Sequence, residues 1–570
     1  MQSLNLRRNH YFPSHAHLKK CNLLGLHQID SPLKMPTRKY GILVCVVPSN
    51  MRKSIAENFY EMKMRRINLT LDIGDTYSHL IDISKTYKSK DISANTFLKI
   101  GKPSPENLEP YRFYSGRHKM LKLMVKIVVY FPTITICILR EIVRILIYRD
   151  HHHLDKDSSD KTTDTIFVSH FTHFVDAQTR DQYFGELPWR ISSRFKNATI
   201  LLLNHTRKKT SQVKGAFSST ANVSYEVNSK TIPLRKLLKE AYMQWRMSLE
   251  FLVDAVFKSE ICLDYRLLLV GAGLGQFSRA TFAAIIFKTN LESFIRVSNP
   301  RQVVMTLEGH SYEILAVKMI HTKFPNVKVV FFQHAPVVKG QVSLRENLFE
   351  VSQNDLILTT GEAPRQYFLK LNPVLRNQIK ILGSPKNFSG NLPTTLTNFR
   401  KGEQLNCLFA PESSQVAVAE IFSLAVSCSN ALPEVIINFR LHPAYIGDKA
   451  MADTSRLKYP ENMLFSKQTL TEDLKVADFC VYRSSAVAIE GLIYGCRPLH
   501  IGSTISDNLD PLAITSLVHE KFSESSTLME YLRKAASGKS SELNPEVSSM
   551  RMTYAEYFAP LNEETILSLE

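Results

Sequence analysis

From residue 165 onward, short apolar runs alternate with longer stretches in which apolar residues recur every three or four positions. Buried parallel strands are short and almost continuously apolar, whereas amphipathic helices show a 3.6-residue period. The pattern predicts the alternating strands and helices of a doubly wound α/β domain, with helices that include Leu234 to Phe257 and Tyr312 to His321. The predicted strands are Thr165 to Ser169, Thr199 to Leu203, Arg266 to Val270, Gln302 to Leu307 and Val327 to Phe332.

A second set of apolar runs follows residue 350 and predicts a second α/β domain. Two domains are expected because 570 residues exceed what one hydrophobic core usually supports. We therefore predict Rossmann-like domains over 161–350 and 351–570, which face each other across a cleft. The strands of the second set are Leu356 to Thr360, Ile379 to Leu382, Asn406 to Ala410, Val435 to Phe439, Met463 to Phe465, Phe479 to Tyr482 and Pro498 to Ile501.

The positive charge of the chain lies mainly in its first 150 residues. The formal net charge is +18, and residues 1–150 hold 25 Lys and Arg against 11 Asp and Glu, which leaves 46 against 42 for the rest. This surplus lies outside the predicted cleft, and no aromatic-basic nucleic-acid motif accompanies it, so nucleic-acid binding is not expected. Residues 1–34 are expected to be disordered or to precede the true start, and residues 35–160 form a basic N-terminal region.

The most apolar stretch is 121–148, which basic residues interrupt and Pro132 breaks. Its uninterrupted apolar part, Ile127 to Leu139, is too short to span hydrocarbon comfortably. The stretch predicts either a pair of helices lying in the interface of an anionic membrane or a pair packed on the protein. No signal-peptide pattern precedes it, so we expect a cytoplasmic protein associated with the inner face of the cell membrane.

The eight cysteines are scattered and never form CxxC pairs, which is typical of a reducing compartment. We expect neither a metal site nor a bound cofactor, and the histidine run His151 to His153 is interpreted as a polar linker. The run from Val270 to Gly275 is similar to a dinucleotide fingerprint, but its third glycine stands one position early. It is therefore interpreted as a tight turn before a helix.

Two groups of polar residues follow predicted strands of the first domain. Glu308 is followed by a glycine and His310, and Glu313 stands early in the next helix. A carboxylate at a strand end can act as a general base, or it can cap the following helix. Gln333 and His334 follow the next strand, where their side chains can donate hydrogen bonds to an acceptor or a phosphate.

Two further groups follow strands of the second domain. Arg440 and His442 come after one strand and suit a phosphate leaving group, because a guanidinium pairs with phosphate and an imidazole can donate a proton. Ser484 and Ser485 follow another strand and precede a helix, where hydroxyls and backbone amides can hold an anion. Glu490, on that helix, can reach a ribose or can lie on the helix surface.

Three motifs follow one another along the chain: Glu308-Gly309, His442-Pro443 and Ser484-Ser485. In this order they resemble the motifs of bacterial sialyltransferases with the GT-B fold. The chain looks most similar to the surface carbohydrate biosynthesis proteins that build capsule, O-antigen or lipopolysaccharide. In these proteins, an aromatic-rich segment like Phe171 to Trp189 precedes the carboxylate. The resemblance covers roughly Thr165 to Leu517 and includes no metal-binding DxD motif.

The resemblance implies a metal-independent glycosyltransferase whose first domain binds the acceptor and whose second binds a CMP-linked nucleotide sugar. It places Glu308 at the base position, with Glu313, His310 and His334 as alternatives. It places His442 in contact with the donor phosphate, and it gives Ser484 and Ser485 the role of holding that phosphate. The partners implied are a nucleotide sugar that is sialic-acid-like or Kdo-like, a glycan or glycolipid acceptor, and an anionic membrane surface.

Two other functions agree with the same residues. One is transfer of glycerol phosphate or a polyol phosphate from a CDP-linked donor, which the resemblance also allows. The other is a non-catalytic scaffold that holds a polysaccharide assembly on the membrane through the basic N-terminal region. Replacing His442 would stop an enzyme and leave a scaffold working.

Overall fold

The computed structural model of the chain describes two parallel β-sheets with helices on their faces. The predictions for 1–34, for the rest of the basic region up to residue 118, and for the histidine linker lie outside the described residues. The structure describes residues 119–147, 163–171, 181, 183–192, 197–204, 213, 222–229, 231–258, 262–339, 351–385, 404–412, 415–442, 459–502, 509–538 and 546–569.

The first sheet has seven parallel strands in the order β3-β2-β1-β4-β5-β6-β7. Its central strands are buried on both faces, which explains their continuous apolar runs. The order reverses between β1 and β4, and such a reversal is where doubly wound sheets bind ligands, beyond the carboxyl ends of the strands. The strands are β1 (Thr165–Phe171), β2 (Ala198–Asn204), β3 (Val223–Val227), β4 (Gln302–Thr306), β5 (Lys328–Gln333), β6 (Leu356–Thr359) and β7 (Ile379–Ile381).

The second sheet has six parallel strands in the order β10-β9-β8-β11-β12-β13, with its own reversal between β8 and β11. The predicted class, α/β with two Rossmann-type doubly wound domains, is confirmed by these two sheets. The strands are β8 (Leu405–Phe409), β9 (Val435–Phe439), β10 (Met463–Phe465), β11 (Phe479–Tyr482), β12 (Arg497–Ile501) and β13 (Glu520–Phe522).

Helices complete both domains and bury their apolar faces on the sheets or on one another. In and around the first sheet they are α1 (Lys119–Val128), α2 (Tyr130–Ile147), α3 (Leu187–Ser192), α4 (Leu234–Phe257), α5 (Leu263–Gly275), α6 (Arg279–Ser298), α7 (Ser311–Lys323) and α8 (Glu362–Leu371). In the later part of the chain they are α9 (Gln415–Ala431), α10 (Leu470–Val476), α11 (Val487–Leu492), α12 (Ser525–Ala536), α13 (Val547–Tyr557) and α14 (Glu563–Leu567).

One predicted strand of the first domain is wrong, because Arg266 to Val270 lies within helix α5. Leu267 to Val270 are all buried, so the helix is apolar on nearly every side and shows no 3.6-residue period. The predicted tight turn in the glycine run is also wrong, since these glycines continue α5. A side chain at Gly273 would place its Cβ 2.0 Å from the Tyr130 hydroxyl, so glycine allows α2 to approach closely.

The boundary between the domains also differs from the prediction at residue 350. Strands β6 and β7 pair with β5 in the first sheet, so the division between the sheets falls between Ile381 and Leu405. Strands β3 and β13 were not predicted. Both lie at sheet edges, where partial exposure shortens the apolar run.

The predicted pair of helices over 121–148 is present as α1 and α2, which pack with α4, α5 and α6 around a common core. Tyr130 is fully buried there, and its hydroxyl lies 2.6 Å from the backbone carbonyl oxygen of Ser248 in α4. Within the described ranges, no single helix is long and apolar enough to cross a bilayer. One bent pair of helices, Tyr265–Gly275 with Arg279–Ser298, meets that test by length and composition alone.

The chain returns to the first sheet after α13. Val337, beyond the end of β5, donates its N–H to the Tyr557 hydroxyl of α13 at 2.8 Å. The backbone N–H of Ala559 donates to the carbonyl of Thr360 at 2.8 Å, beyond β6. Helix α13 also packs against α11, which follows β11. The same helix therefore contacts the carboxyl ends of strands in the first sheet and the helix that begins at the carboxyl end of β11.

Candidate active site

Ionisable side chains gather where the strand order of the first sheet reverses. The Glu308 carboxylate, just beyond β4, lies 3.0 Å from Nε2 of His310 and 3.1 Å from Nε2 of His334, which follows β5. The adjacent parallel strands β4 and β5 therefore bring together two motifs that are distant in the sequence. This is the edge of the sheet at which doubly wound domains bind their ligands.

Both histidines face an ionised carboxylate. Burial raises the pKa of Glu308, but hydrogen bonds and charge from His310 and His334 outweigh it and hold that pKa well below its ordinary value. An ionised carboxylate can only accept hydrogen bonds, so the Nε2 atom of each ring carries the hydrogen. The His310 ring is 48% exposed, whereas the Glu308 side chain is 26% and the His334 side chain 15% exposed. His310 is thus the most exposed member of the group, and its side chain also accepts from the backbone N–H of Glu313 in a capping box at the start of α7.

Glu313 shapes the loop that carries Glu308 and His310. Its carboxylate is fully buried and accepts hydrogen bonds from the backbone N–H groups of Glu308, Gly309 and His310, at 2.7 to 3.1 Å to one oxygen. Gly309 has φ +80°, which a glycine adopts without strain. Burial is the largest influence on Glu313 and raises its pKa. Glu313 therefore fixes the loop from within, and the ligand side of the loop is formed by other residues.

The β1 side of this group of residues is aromatic. The Tyr312 hydroxyl lies 2.8 Å from Nε2 of His170, near the end of β1, and the Tyr183 ring packs edge-on against His334 at 4.7 Å between centroids. Asp181 is buried, binds Ser169 and caps the turn at Tyr183 through backbone hydrogen bonds. Asp181 and Tyr183 belong to the aromatic-rich segment noted in the sequence, whereas His170 and Tyr312 lie outside it. Together the rings place flat apolar surfaces beside the histidines.

Gln333, predicted on the acceptor side, stabilises the protein backbone instead of facing open space. It is buried, its Nε2 binds the carbonyl of Ala335, and its Oε1 accepts from the backbone N–H and the hydroxyl of Thr360. These bonds join the loop after β5 to the loop after β6. Gln333 therefore holds the position of the adjacent His334.

In the second domain, Arg440 joins the end of β9 to neighbouring elements. Its Nη1 lies 2.6 Å from Asp473, and it also binds Ser466 and the carbonyl of Gln468. Asp473 is buried, so this ion pair is shielded from solvent. His442 follows two residues later and is partly exposed. Phosphate binding by Arg440 and His442 remains a prediction.

Ser484 and Ser485 lie where the second sheet reverses its order, directly after β11, and both are largely buried. The preceding residue, Arg483, donates from Nε to Glu412 beyond β8 at 2.7 Å and from Nη1 to Glu420 of α9 at 2.9 Å. The two sides of this reversal are thus tied together by one buried guanidinium. Glu490 is partly exposed on α11, and its contact with a ribose also remains a prediction.

The sequence identified the residues after β4 and β5 but missed His170, Tyr183 and Tyr312. The signal for Tyr312 was available, because it follows His310 by two residues at the start of a helix. His170 gave no such signal, since it lies inside an apolar run and is brought close only by the pairing of β1 with β4. Among the described residues, no group of three or more His, Cys, Asp or Glu side chains has the arrangement to hold a metal ion.

No protein-family model matches the chain, and no curated protein matches it. Solved structures do resemble it. The glycosyltransferase SnogD from Streptomyces nogalater has a TM-score of 0.40 and 13% identity, over 72% of this chain and 99% of that one. A putative UDP-N-acetylglucosamine 2-epimerase from Listeria monocytogenes has a TM-score of 0.39 and 11% identity, over 72% and 94%. The wall teichoic acid polymerase TagF has a TM-score of 0.37 and 11% identity, over 78% and 96%. At these identities the similarity is limited to the general fold.

Proposed function

We propose that the chain is a glycosyltransferase that moves a sugar from a nucleotide-activated donor to a hydroxyl group of a glycan or glycolipid. The observation that carries the proposal is the Glu308–His310 pair at the order reversal of the first sheet. A carboxylate that orients a reachable imidazole is an arrangement suited to taking a proton from a hydroxyl nucleophile. The second sheet offers hydroxyls and backbone amides at its own reversal, where a nucleotide can bind.

In this proposal, His310 contacts the acceptor hydroxyl and Glu308 orients the imidazole. As the hydroxyl oxygen attacks the anomeric carbon of the donor, its proton passes to Nδ1 of His310, because Nε2 already donates to Glu308. The Glu313 N–H, which faces this imidazole at the start of α7, keeps the carbonyl of His310 as its acceptor. The Glu308 carboxylate stabilises the imidazolium that forms. The bond from the anomeric carbon to the donor phosphate breaks, and the nucleotide leaves with its electron pair. His334 keeps the second Glu308 oxygen in place. This assigns to His310 the role that the sequence resemblance gave to Glu308.

On the donor side, we propose that His442, Ser484 and Ser485 stabilise the charge that develops on the departing phosphate. Hydrogen-bond donors fixed in advance at that position lower the barrier most effectively. We further propose that the donor is a CMP-linked sugar that is sialic-acid-like or Kdo-like. The product would be a surface polysaccharide built at the inner face of the cell membrane.

The donor can be tested by calorimetric titration of the purified protein with CMP, CDP, UDP and GDP. We expect cytidine nucleotides to bind, and we expect His442→Ala and Ser484→Ala to weaken that binding. Preference for CDP over CMP would favour the glycerol-phosphate or polyol-phosphate reaction. Preference for UDP or GDP would change the proposed donor, and the assignment as a transferase would stand. Absence of binding to all four nucleotides would contradict the proposal and favour the scaffold.

The base can be tested by comparing Glu308→Gln and His310→Gln with His321→Gln, using the nucleotide sugar whose nucleotide binds. His321 forms a similar pair with Asp355, 2.9 Å apart, at the other end of α7. We expect the first two variants to bind nucleotide normally and to lose roughly 10²- to 10⁴-fold in transfer rate. His321→Gln should transfer at the wild-type rate. If His310→Gln retains full transfer activity while Glu308→Gln does not, Glu308 itself is the base.

A further inference from the structure

Helices α1 and α2 present apolar side chains to solvent. One side of each helix packs into the core that they share with α4 to α6, through residues such as Leu123 and Ile134. The opposite side of α1 exposes Leu121, Met124, Val125 and Val128, and Val128 is 75% exposed. Ile136, Leu139 and Val143 are exposed along one side of α2. Isolated exposed apolar residues are ordinary on protein surfaces, but a contiguous stripe marks an interaction surface.

Helix α4 adds a third apolar stripe, which the sequence pattern did not single out. Leu238, Tyr242 and Trp245 recur at helical spacing on its outer side, and Tyr242 is 60% exposed. The Tyr242 and Trp245 rings are stacked, with centroids 6.1 Å apart. Trp245 is 37% exposed, so it has an open side besides the one that contacts Tyr242.

The exposed charged side chains on these helices are all basic within the part of the chain that the structure describes. They are Arg140, Arg235, Lys236, Lys239 and Arg246. The acidic residues of the same helices are at least partly buried. Glu141 is buried and binds Arg140, and Glu240 binds Lys288 of α6. The exposed stripes of α1, α2 and α4, together with these basic residues, are called the basic–apolar face below.

We propose that the basic–apolar face lies on an anionic lipid bilayer. Stacked Trp and Tyr rings suit the headgroup region, because they are apolar in body and polar at one end. Aliphatic side chains beside them can enter the upper acyl region, while Lys and Arg pair with anionic headgroups. A surface that binds a protein usually has few lysines near its centre, whereas the basic–apolar face carries the exposed Lys236 and Lys239. This inference does not depend on the proposed reaction.

The two tryptophans of the chain make the position of the membrane measurable. Trp189, on α3, packs near Tyr225 in the core of the first sheet, whereas Trp245 belongs to the basic–apolar face. We expect vesicles of phosphatidylcholine with phosphatidylglycerol to shift the emission of the full chain to shorter wavelength, and brominated lipids to quench it. Vesicles of phosphatidylcholine alone should give a much weaker response. Trp245→Phe should remove the quenching while the Trp189 emission persists.

Charge and apolar variants separate the two contributions to binding. Arg235→Gln combined with Lys239→Gln should weaken binding to the anionic vesicles roughly 30-fold, since each basic residue near such a surface contributes about 1 kcal/mol. The matched control is Lys475→Gln with Lys534→Gln, both exposed in the second domain, and it should bind as the wild type does.

Leu238→Gln combined with Tyr242→Gln should weaken vesicle binding roughly tenfold or more. Its control is Val476→Gln with Val518→Gln, which are exposed in the second domain. All of these side chains are exposed, so the variants should unfold at the wild-type temperature. The proposal is overturned if the wild-type chain shows no response to anionic vesicles. It is also overturned if the face variants bind as tightly as their controls.

Discussion

Substitution of Glu313 tests whether this buried carboxylate holds the Glu308–His310 loop in place. In Glu313→Ala, three backbone N–H groups and the Thr306 hydroxyl lose their acceptor. A buried donor without a partner costs about 1–3 kcal/mol, and water can reach some of the space left by the side chain. We therefore expect a loss of about 4 kcal/mol in the free energy of unfolding of the first domain.

Glu313→Gln should be much milder. Its amide oxygen can replace the oxygen that accepts from the loop N–H groups, and its NH₂ can donate to Thr306, which is able to accept. Only the charge is lost, so the hydrogen bonds weaken while none is left without a partner. Burial of that charge is itself unfavourable, as the raised pKa of Glu313 indicates. We expect a loss of about 1–2 kcal/mol, or roughly 2–8 °C in the melting temperature of the domain.

The assay combines thermal unfolding with hydrogen exchange of the amides at 308–310. Exchange should accelerate strongly in Glu313→Ala and slightly in Glu313→Gln. Glu292→Ala is the control, because Glu292 pairs with the exposed Lys323 and Arg296, and its loss should cost under about 1 kcal/mol. Equal destabilisation by alanine and glutamine, or unchanged amide exchange in both variants, would refute the reasoning.

Three further outcomes are expected. Arg483→Met should lower the free energy of unfolding of the second domain by about 3–5 kcal/mol in denaturant titrations, because it leaves its two glutamate partners without their cation. Burial raises the pKa of Asp510, but the hydrogen bond from His519 and the positive charge around the carboxylate, which includes Lys521, outweigh it and hold the pKa below the ordinary value. The stability that Asp510→Asn removes should thus be constant at neutral pH and should diminish as the pH falls below about 4, which melting curves across pH can follow. Gly273→Ala should destabilise the helical layer by about 1–3 kcal/mol in thermal unfolding, and adding Tyr130→Phe should recover part of that loss by removing the hydroxyl in the way.

Much of the fold was accessible from the sequence, since a parallel strand buried on both faces is a short apolar run. The run over Arg266 to Val270 was misassigned for the same reason, because a helix buried on nearly all sides produces the same pattern. The domain boundary was also beyond the pattern. Strands β6 and β7 look like any others along the chain, and only their pairing with β5 places them in the first sheet.

The site was partly accessible. Polar residues were recognised after both β4 and β5, and because parallel strands end at one edge of a sheet, Glu308 and His334 are in contact. The sequence could not show which of these polar residues stabilise the backbone and which face a ligand. Glu313 turns back to bind the loop N–H groups, and Gln333 binds the neighbouring loop, so both stabilise the backbone. These roles depend on side-chain directions at the start of a helix, which residue types alone do not specify.

The return of the chain after α13 makes the first domain discontinuous in sequence. Leu561, Ile566 and Leu569 pack in the core beneath the first sheet, and Thr565 binds the carbonyl of Ile381, 184 residues earlier. During synthesis, the first sheet therefore emerges long before these last contributors to its core. Until they emerge, its apolar surface is incompletely covered, which is the condition under which newly made chains aggregate or bind chaperones.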